Sequence, residues 1–162
     1  MNNHVAGLYI DDSSTIQSAL AAGSLVTGWT AHEDLLHGDA SIDANTTDSR
    51  LDLKPGIYLV FFEATVEAPG TSGSATSGDA QGEIVFQLYQ GGTALDGAKS
   101  SIDDATVGSP EHVAITFPVE ITEAQYEAST PTNYVDVRAA GVDSSGNDVL
   151  ISQARLYAVR LS

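Results

Sequence analysis

The side chains able to do acid–base, nucleophilic or metal chemistry are scattered along this 162-residue chain instead of being grouped. His4, His32, His37 and His112 form no His-x-x-x-His or His-Glu-x-x-His zinc pattern, and the i, i+5 step from His32 to His37 does not put two rings on one helical face. There is no Cys nucleophile, no Gly-x-Ser-x-Gly elbow and no Gly-x-x-x-x-Gly-Lys phosphate cradle. Carboxylate pairs such as Asp11-Asp12 and Asp103-Asp104 are expected by chance among 22 acidic residues, so they single out no glycosidase pair. The chain is therefore read as a non-enzyme. Calcium is the best cofactor candidate, because Asp143, Asn147 and Asp148 gather hard oxygen donors on one short loop. Their spacing lacks the EF-hand pattern, however, and the reading adopted is a plain acidic hairpin turn with no bound cofactor. Trp29, the only Trp, could serve as a sugar-stacking platform, but its apolar setting, Leu25-Val-Thr-Gly-Trp-Thr30, reads as packing.

The elements that must carry these residues are almost all strands. Alternating or continuous apolar runs bounded by Gly, Pro, Asn, Asp or Ser predict strands over His4–Ile10, Ser24–Ala31, His37–Ile42, Ser49–Leu53, Ile57–Glu67, Gly82–Gln90, Thr93–Ser100, Glu111–Ile121, Asn133–Gly141 and Asp148–Leu161. Helix signals are confined to Ser14-Thr-Ile-Gln17 running into Ser18–Ala22 with Gly23 as stop, and to Thr122-Glu-Ala-Gln125 before Tyr126. Many short strands with no linker and no repeat predict one all-β domain over 1–162, a sandwich or a barrel. The Gly/Ser-rich segment Glu67–Gly82 reads as an exposed hairpin tip without aromatic residues.

Period-two alternation assigns the core. Ile84, Phe86 and Leu88 share one face, as do Val113, Ile115, Phe117, Val119 and Ile121, while Val135, Val137 and Ala139 oppose Tyr134, Asp136 and Arg138. Two strands break this one-sidedness. Along Ile57–Ala64, Tyr58, Val60, Phe62 and Ala64 point one way, yet Ile57, Leu59 and Phe61 point the other. The last strand, from Asp148, also mixes apolar residues onto both faces. An antiparallel strand normally shows one face to water, so a second apolar face needs a cover, either a loop or another copy of the chain. Ile57, Leu59, Phe61, Tyr157 and Val159 are the expected interface residues.

Composition excludes several partners. Twenty-two acidic against six basic residues give a formal net charge of −16, which repels nucleic-acid phosphate and anionic lipid. No nucleic acid and no membrane partner is expected. Met1-Asn-Asn-His-Val-Ala-Gly7 shows neither a basic n-region nor an apolar h-region, and the chain is expected to be soluble and not exported by a classical signal.

The string Asp48-Ser-Arg-Leu-Asp-Leu-Lys-Pro-Gly-Ile-Tyr-Leu-Val-Phe-Phe-Glu-Ala-Thr65, then Glu83-Ile-Val-Phe-Gln-Leu-Tyr-Gln-Gly-Gly92, then Gln153-Ala-Arg-Leu-Tyr-Ala-Val-Arg-Leu161, resembles the tumour necrosis factor/complement-head jelly roll, over roughly Asp39 to Ser162. The resemblance implies an all-β jelly-roll sandwich of two antiparallel sheets and a homotrimer built around inner sheets. Among jelly rolls, this chain looks more like those encoded by tailed phages than like an animal ligand. That implies a virion protein, a decoration (cement) protein on the capsid surface whose partners are itself and the major capsid protein. Residues 1–40 would then be the capsid-facing segment. The alternative is a receptor- or carbohydrate-binding head of a phage fibre.

Overall fold

The computed structural model describes residues 5–11, 15–17, 23–32, 41–67, 83–102, 109–141 and 149–162. They form twelve strands and one helical turn: β1 (Val5–Ile10), β2 (Thr15–Gln17), β3 (Ser24–Leu25), β4 (Thr30–His32), β5 (Ile42–Asn45), β6 (Arg50–Leu53), β7 (Gly56–Glu67), β8 (Ile84–Gln90), β9 (Thr93–Ile102), β10 (Glu111–Ile121), α1 (Glu123–Tyr126), β11 (Tyr134–Gly141) and β12 (Val149–Arg160). The first sheet runs β10-β7-β12-β1-β4, with β2 also on β12. The second runs β5-β6-β11-β8-β9, with β3 also on β11. Every pairing among the described strands is antiparallel. This is the expected two-sheet jelly-roll sandwich.

The core lies between the sheets, where alternation placed it. Tyr58, Val60, Phe62, Ala64 and Val66 of β7 are buried, as are Ile84, Phe86 and Leu88 of β8 and Val135, Val137 and Ala139 of β11. The Phe62 and Phe86 rings meet across the gap with centroids 5.5 Å apart. Tyr58 carries a polar group into this layer, and its hydroxyl is satisfied 2.7 Å from the Lys54 carbonyl oxygen and 3.2 Å from that of Ser41. A hairpin joins β8 to β9 through Gly91 and Gly92, both at positive φ (56° and 83°), the conformation that a two-residue turn between twisted strands demands. α1 is opened by the capping box read from Thr122-Glu-Ala-Gln125: the Gln125 N–H donates to Thr122 Oγ1 at 3.3 Å, and the Thr122 N–H donates to Gln125 Oε1 at 2.8 Å.

The structure differs from the sequence reading at several points. The strand expected over His37–Ile42 starts only at its last residue and runs Ile42–Asn45, residues 37–40 lying outside the described residues. Thr15–Gln17, expected to begin a helix, is a strand on the edge of β12, with Ile16 opposite Leu150. So short a helix cannot sustain itself, whereas the long β12 offers an open ladder; Ser14 and Ser18–Ala22 lie outside the described residues. Ser24–Ala31, expected as one strand, is two: β3 joins the second sheet and β4 the first. The chain crosses between layers at Val26–Trp29, with both end residues buried in the core. Trp29 is only 6% exposed and its indole N–H donates to the Val26 carbonyl at 2.8 Å, so the ring packs and offers no ligand platform. Finally, β12 contains a bulge: Ile151 opposes Val66 while Gln153 opposes Thr65, leaving Ser152 as the extra residue. The bulge shifts the alternation by one, so Ile151 faces inward although Tyr157 and Val159, in the same period-two set, face outward; beyond the bulge β12 carries apolar residues on both faces. Its inward set is Ile151, Ala154, Leu156 and Ala158.

From the 1–40 segment, β1, β3 and β4 are built into the sandwich, and Leu8 and Ile10 belong to the core.

Candidate functional site

The outward face of the first sheet is built in cross-strand rows, because β7 and β12 lie side by side in its middle. One row is Val5, Val159, Leu59 and Pro118; the next is Gly7, Tyr157, Phe61 and Thr116; a third is Tyr9, Arg155, Glu63 and Ala114. β4 extends the last two, with His32 beside Gly7 and Thr30 beside Tyr9. The first two rows form an apolar strip. Leu59 and Val159 pair directly, and Phe61 and Tyr157 stack with centroids 4.7 Å apart and planes 8° from parallel. All four are half-buried, and Ile57, two residues before Leu59 on β7, is 42% exposed. The five residues expected to share a second apolar face are thus brought onto one contiguous surface.

The strip gives way to polar groups towards the third row. Arg155 and Glu63 form an ion pair at 3.6 Å, with 71% and 41% of their side chains exposed. Tyr9 and His32 meet edge to face with centroids 5.9 Å apart. Val5, Gly7 and Tyr9 were not among the residues singled out in the sequence, and His32 was weighed there only as a metal ligand. The available signal was Gly7 itself, a glycine inside an apolar strand pattern, which marks a bulge or a close approach. Here it is a close approach: a Cβ at Gly7 would lie 2.7 Å from Tyr157 Cβ and from the Leu156 carbonyl oxygen.

The outward face of the second sheet carries a different cluster. Arg138 grips Asp136, which is only 3% exposed, through Nε to Oδ1 at 2.9 Å and Nη2 to Oδ2 at 3.2 Å, and lies over the Tyr89 ring at 4.4 Å. The hydrogen bond to Asp136, outweighing the opposing effect of burial, holds the Arg138 guanidinium above its ordinary pKa. Arg50 repeats the arrangement, with Asp52 Oδ1 at 2.8 Å, Asp48 Oδ2 at 3.1 Å and the Tyr134 ring at 4.3 Å. Both guanidiniums are engaged by carboxylates of their own sheet, so this ladder braces it.

Among the described residues, no three His, Asp or Glu side chains are placed to hold a metal ion. His32 and His112 stand at opposite margins of the first sheet's outward face, on β4 and on β10. Asp143, Asn147 and Asp148 lie outside the described residues, as do His4, His37 and the segment 68–82.

Solved structures share this architecture. The structure of Eiger TNF from S. frugiperda superposes with a TM-score of 0.64 at 10% identity, covering 100% of this chain and 94% of that one. The globular domain of zebrafish complement 1qA protein superposes with a TM-score of 0.55 at 12% identity, covering 98% and 96%. The chain therefore has the TNF/C1q-like jelly-roll fold. No protein-family model matches it, and no curated protein does.

Proposed function

We propose that the chain is a self-associating structural protein, a homotrimer that decorates the outer surface of a phage head. The observation that carries the self-association is the half-exposed strip Leu59, Phe61, Tyr157 and Val159 on the outward face of the first sheet. A lone sandwich gains nothing by presenting aligned aliphatic and stacked aromatic residues to water, whereas a second copy laid over the strip removes that surface from solvent. Closed cyclic symmetry satisfies such patches without leaving a free end.

The role on the head rests on the resemblance of the Asp48–Thr65, Glu83–Gly92 and Gln153–Leu161 strings to the tumour necrosis factor/complement-head jelly roll, a fold that tailed phages also use, and on suitability for a mechanical task. A trimer bridging neighbouring capsomers binds the assembled shell and not its dispersed subunits, so its binding free energy adds to shell stability by mass action. No side chain has to change its protonation or bonding for this work.

The test has two stages. Multi-angle light scattering of the full chain should give three times the monomer mass; a stable monomer would remove the assembly. Phage heads stripped of the protein should then rebind it to saturation at regular lattice points and survive heat or low salt better than stripped heads. Binding to host cells with no effect on shell stability would favour the fibre-head alternative.

A further inference from the structure

β9 does not follow β8 step for step. Gln87 stands opposite Lys99 and Tyr89 opposite Ala94, so Leu95–Ala98 have only Leu88 across from them and bow out of the ladder. The bow is held at both ends. Leu95 packs against the core and its carbonyl oxygen accepts from Gln87 Nε2 at 3.1 Å, while Ala98 is fully buried. Between these anchors Asp96 and Gly97 are exposed, and Gly97 takes a φ of 84°, a conformation that favours glycine. Little crowds it: among the described residues, the atom nearest to a Cβ built there would be Phe117 Cε2 at 3.8 Å. In the sequence the pair is singular, because Asp96 alone among the chain's Asp and Asn residues is followed by glycine.

We propose that Asp96-Gly97 is a self-modifying site, at which the aspartyl residue converts to isoaspartyl through a cyclic imide. The Gly97 amide nitrogen attacks Asp96 Cγ; a C–N bond forms, and the amide proton leaves with the carboxyl hydroxyl as water. Water then adds back to either imide carbonyl. Opening at Cγ restores aspartate, whereas opening at the former backbone carbonyl leaves the chain running through Cβ and Cγ as isoaspartate. Only water is released and consumed. The ring closes where the following residue has no side chain to obstruct the nitrogen, where the backbone is not clamped in a one-to-one ladder, and where water has access. The bow supplies all three. Asp136, followed by the β-branched Val137 inside the paired β11 and only 3% exposed, meets none of them.

Each conversion inserts a methylene into the backbone between two fixed anchors, so either the Gln87 bond to Leu95 or the seat of Ala98 has to give, and the edge of the second sheet slackens with the age of the molecule. The site goes beyond the decoration role and does not depend on it, since β9 is an edge strand of the second sheet and the chemistry uses no residue of the first sheet's outward face.

The full chain is kept warm for weeks at about pH 5 and about pH 8, the neutral carboxyl being the form that loses water, beside a synthetic peptide of residues 92–101 that reports the same chemistry without the fold. Proteolytic fragments are read by mass spectrometry with electron-transfer fragmentation, which distinguishes the two isomers, and by enzymatic methylation of isoaspartyl carboxylates. Isoaspartate should appear at position 96 ahead of every other aspartate, several-fold faster at the lower pH, with a companion species lighter by one water. Asp96→Asn, an isosteric change at an exposed side chain, releases ammonia in place of water and should convert faster, with the opposite order of pH. Asp96→Glu, whose imide would need a larger ring, should stay unmodified. Conversion of the peptide but not of the folded chain, isoaspartate spread evenly over other aspartates, or an Asp96→Asn chain that keeps its amide would each overturn the site.

Discussion

Asp136 shows how a residue can be polar in sequence and structural in effect. It lies on the outward face of β11, ion-paired to Arg138 and opposite Tyr89 and Arg50 in register, and only 3% of its surface is exposed. A carboxylate so placed depends on its partner. Arg138→Ala should therefore cost about 3 kcal/mol, the lower end of the range for breaking a buried pair because the guanidinium side is partly exposed; a urea-unfolding free energy lowered by less than about 1 kcal/mol would show that water replaces the Arg. Leu59 and Phe61 depend on each other differently. Each is half-buried by a cross-strand neighbour, Val159 and Tyr157, and half-open to the outside. Leu59→Asp or Phe61→Asp should convert the assembly to monomer or aggregate, since an unpaired carboxylate in a dry seam costs several kcal/mol, on the order of a lost hot spot. Sedimentation of the variants against wild type reads this directly, and an unchanged assembly would place the interface elsewhere.

At the scale of elements, what could be read from the sequence divides by the range of the interaction. Alternation within β7, β8, β10 and β11 is local, and it assigned their inward faces correctly, down to Tyr58, Phe62 and Phe86. The Pro55-Gly56 turn before β7 and the Gly91-Gly92 hairpin were marked by their own residues. β1 and β12 pair across almost the whole chain, Val5 with Val159, so no spacing could show that Gly7 would lie so close against Tyr157. The split of 24–31 into two strands was hidden for the same reason, because only the partners β11 and β1 distinguish the two halves. The bulge in β12 hid in another way, because a strand apolar on both faces shows no break in its alternation where Ser152 is inserted. Deleting Ser152 should remove the irregularity and leave Ile151 and Ala154 both inward. The variant should unfold cooperatively with a loss of about 1 kcal/mol, the worth of the Ser152 hydroxyl's bond to the Thr65 carbonyl at 3.2 Å. Non-cooperative unfolding by circular dichroism would mean that the bulge is required to bend β12.

For the molecule as a whole, the charge of −16 is the dominant long-range quantity. The described basic side chains are largely engaged at home: Arg50 and Arg138 on the second sheet's ladder, and Arg160 on the Pro55 carbonyl oxygen at 2.8 Å and that of Ser162 at 3.2 Å. Most carboxylates are left to repel one another through solvent. Such self-repulsion opposes the compact state and is screened once the Debye length falls from ~30 Å at 0.01 M to ~8 Å at 0.15 M salt. The melting temperature should rise across that range by several degrees, corresponding to about 1 kcal/mol or more for a domain of this size. A flat or falling curve in a differential scanning calorimeter would show that pairing already balances the charge.

The place of β12 sets the order in which the protein can be made. It lies between β7 and β1 in the first sheet, so β7–β10 and β1–β4 have no common partner until residues 149–160 are present. During synthesis, a ribosome that has delivered everything up to Gly141 holds a complete path for the second sheet but only two halves of the first. Their apolar edges wait open to other nascent chains. Closure is a late, long-range event, slow in the manner of high-contact-order β folds. A transcript cut short before β12 yields no smaller working protein, only material for proteases and chaperones.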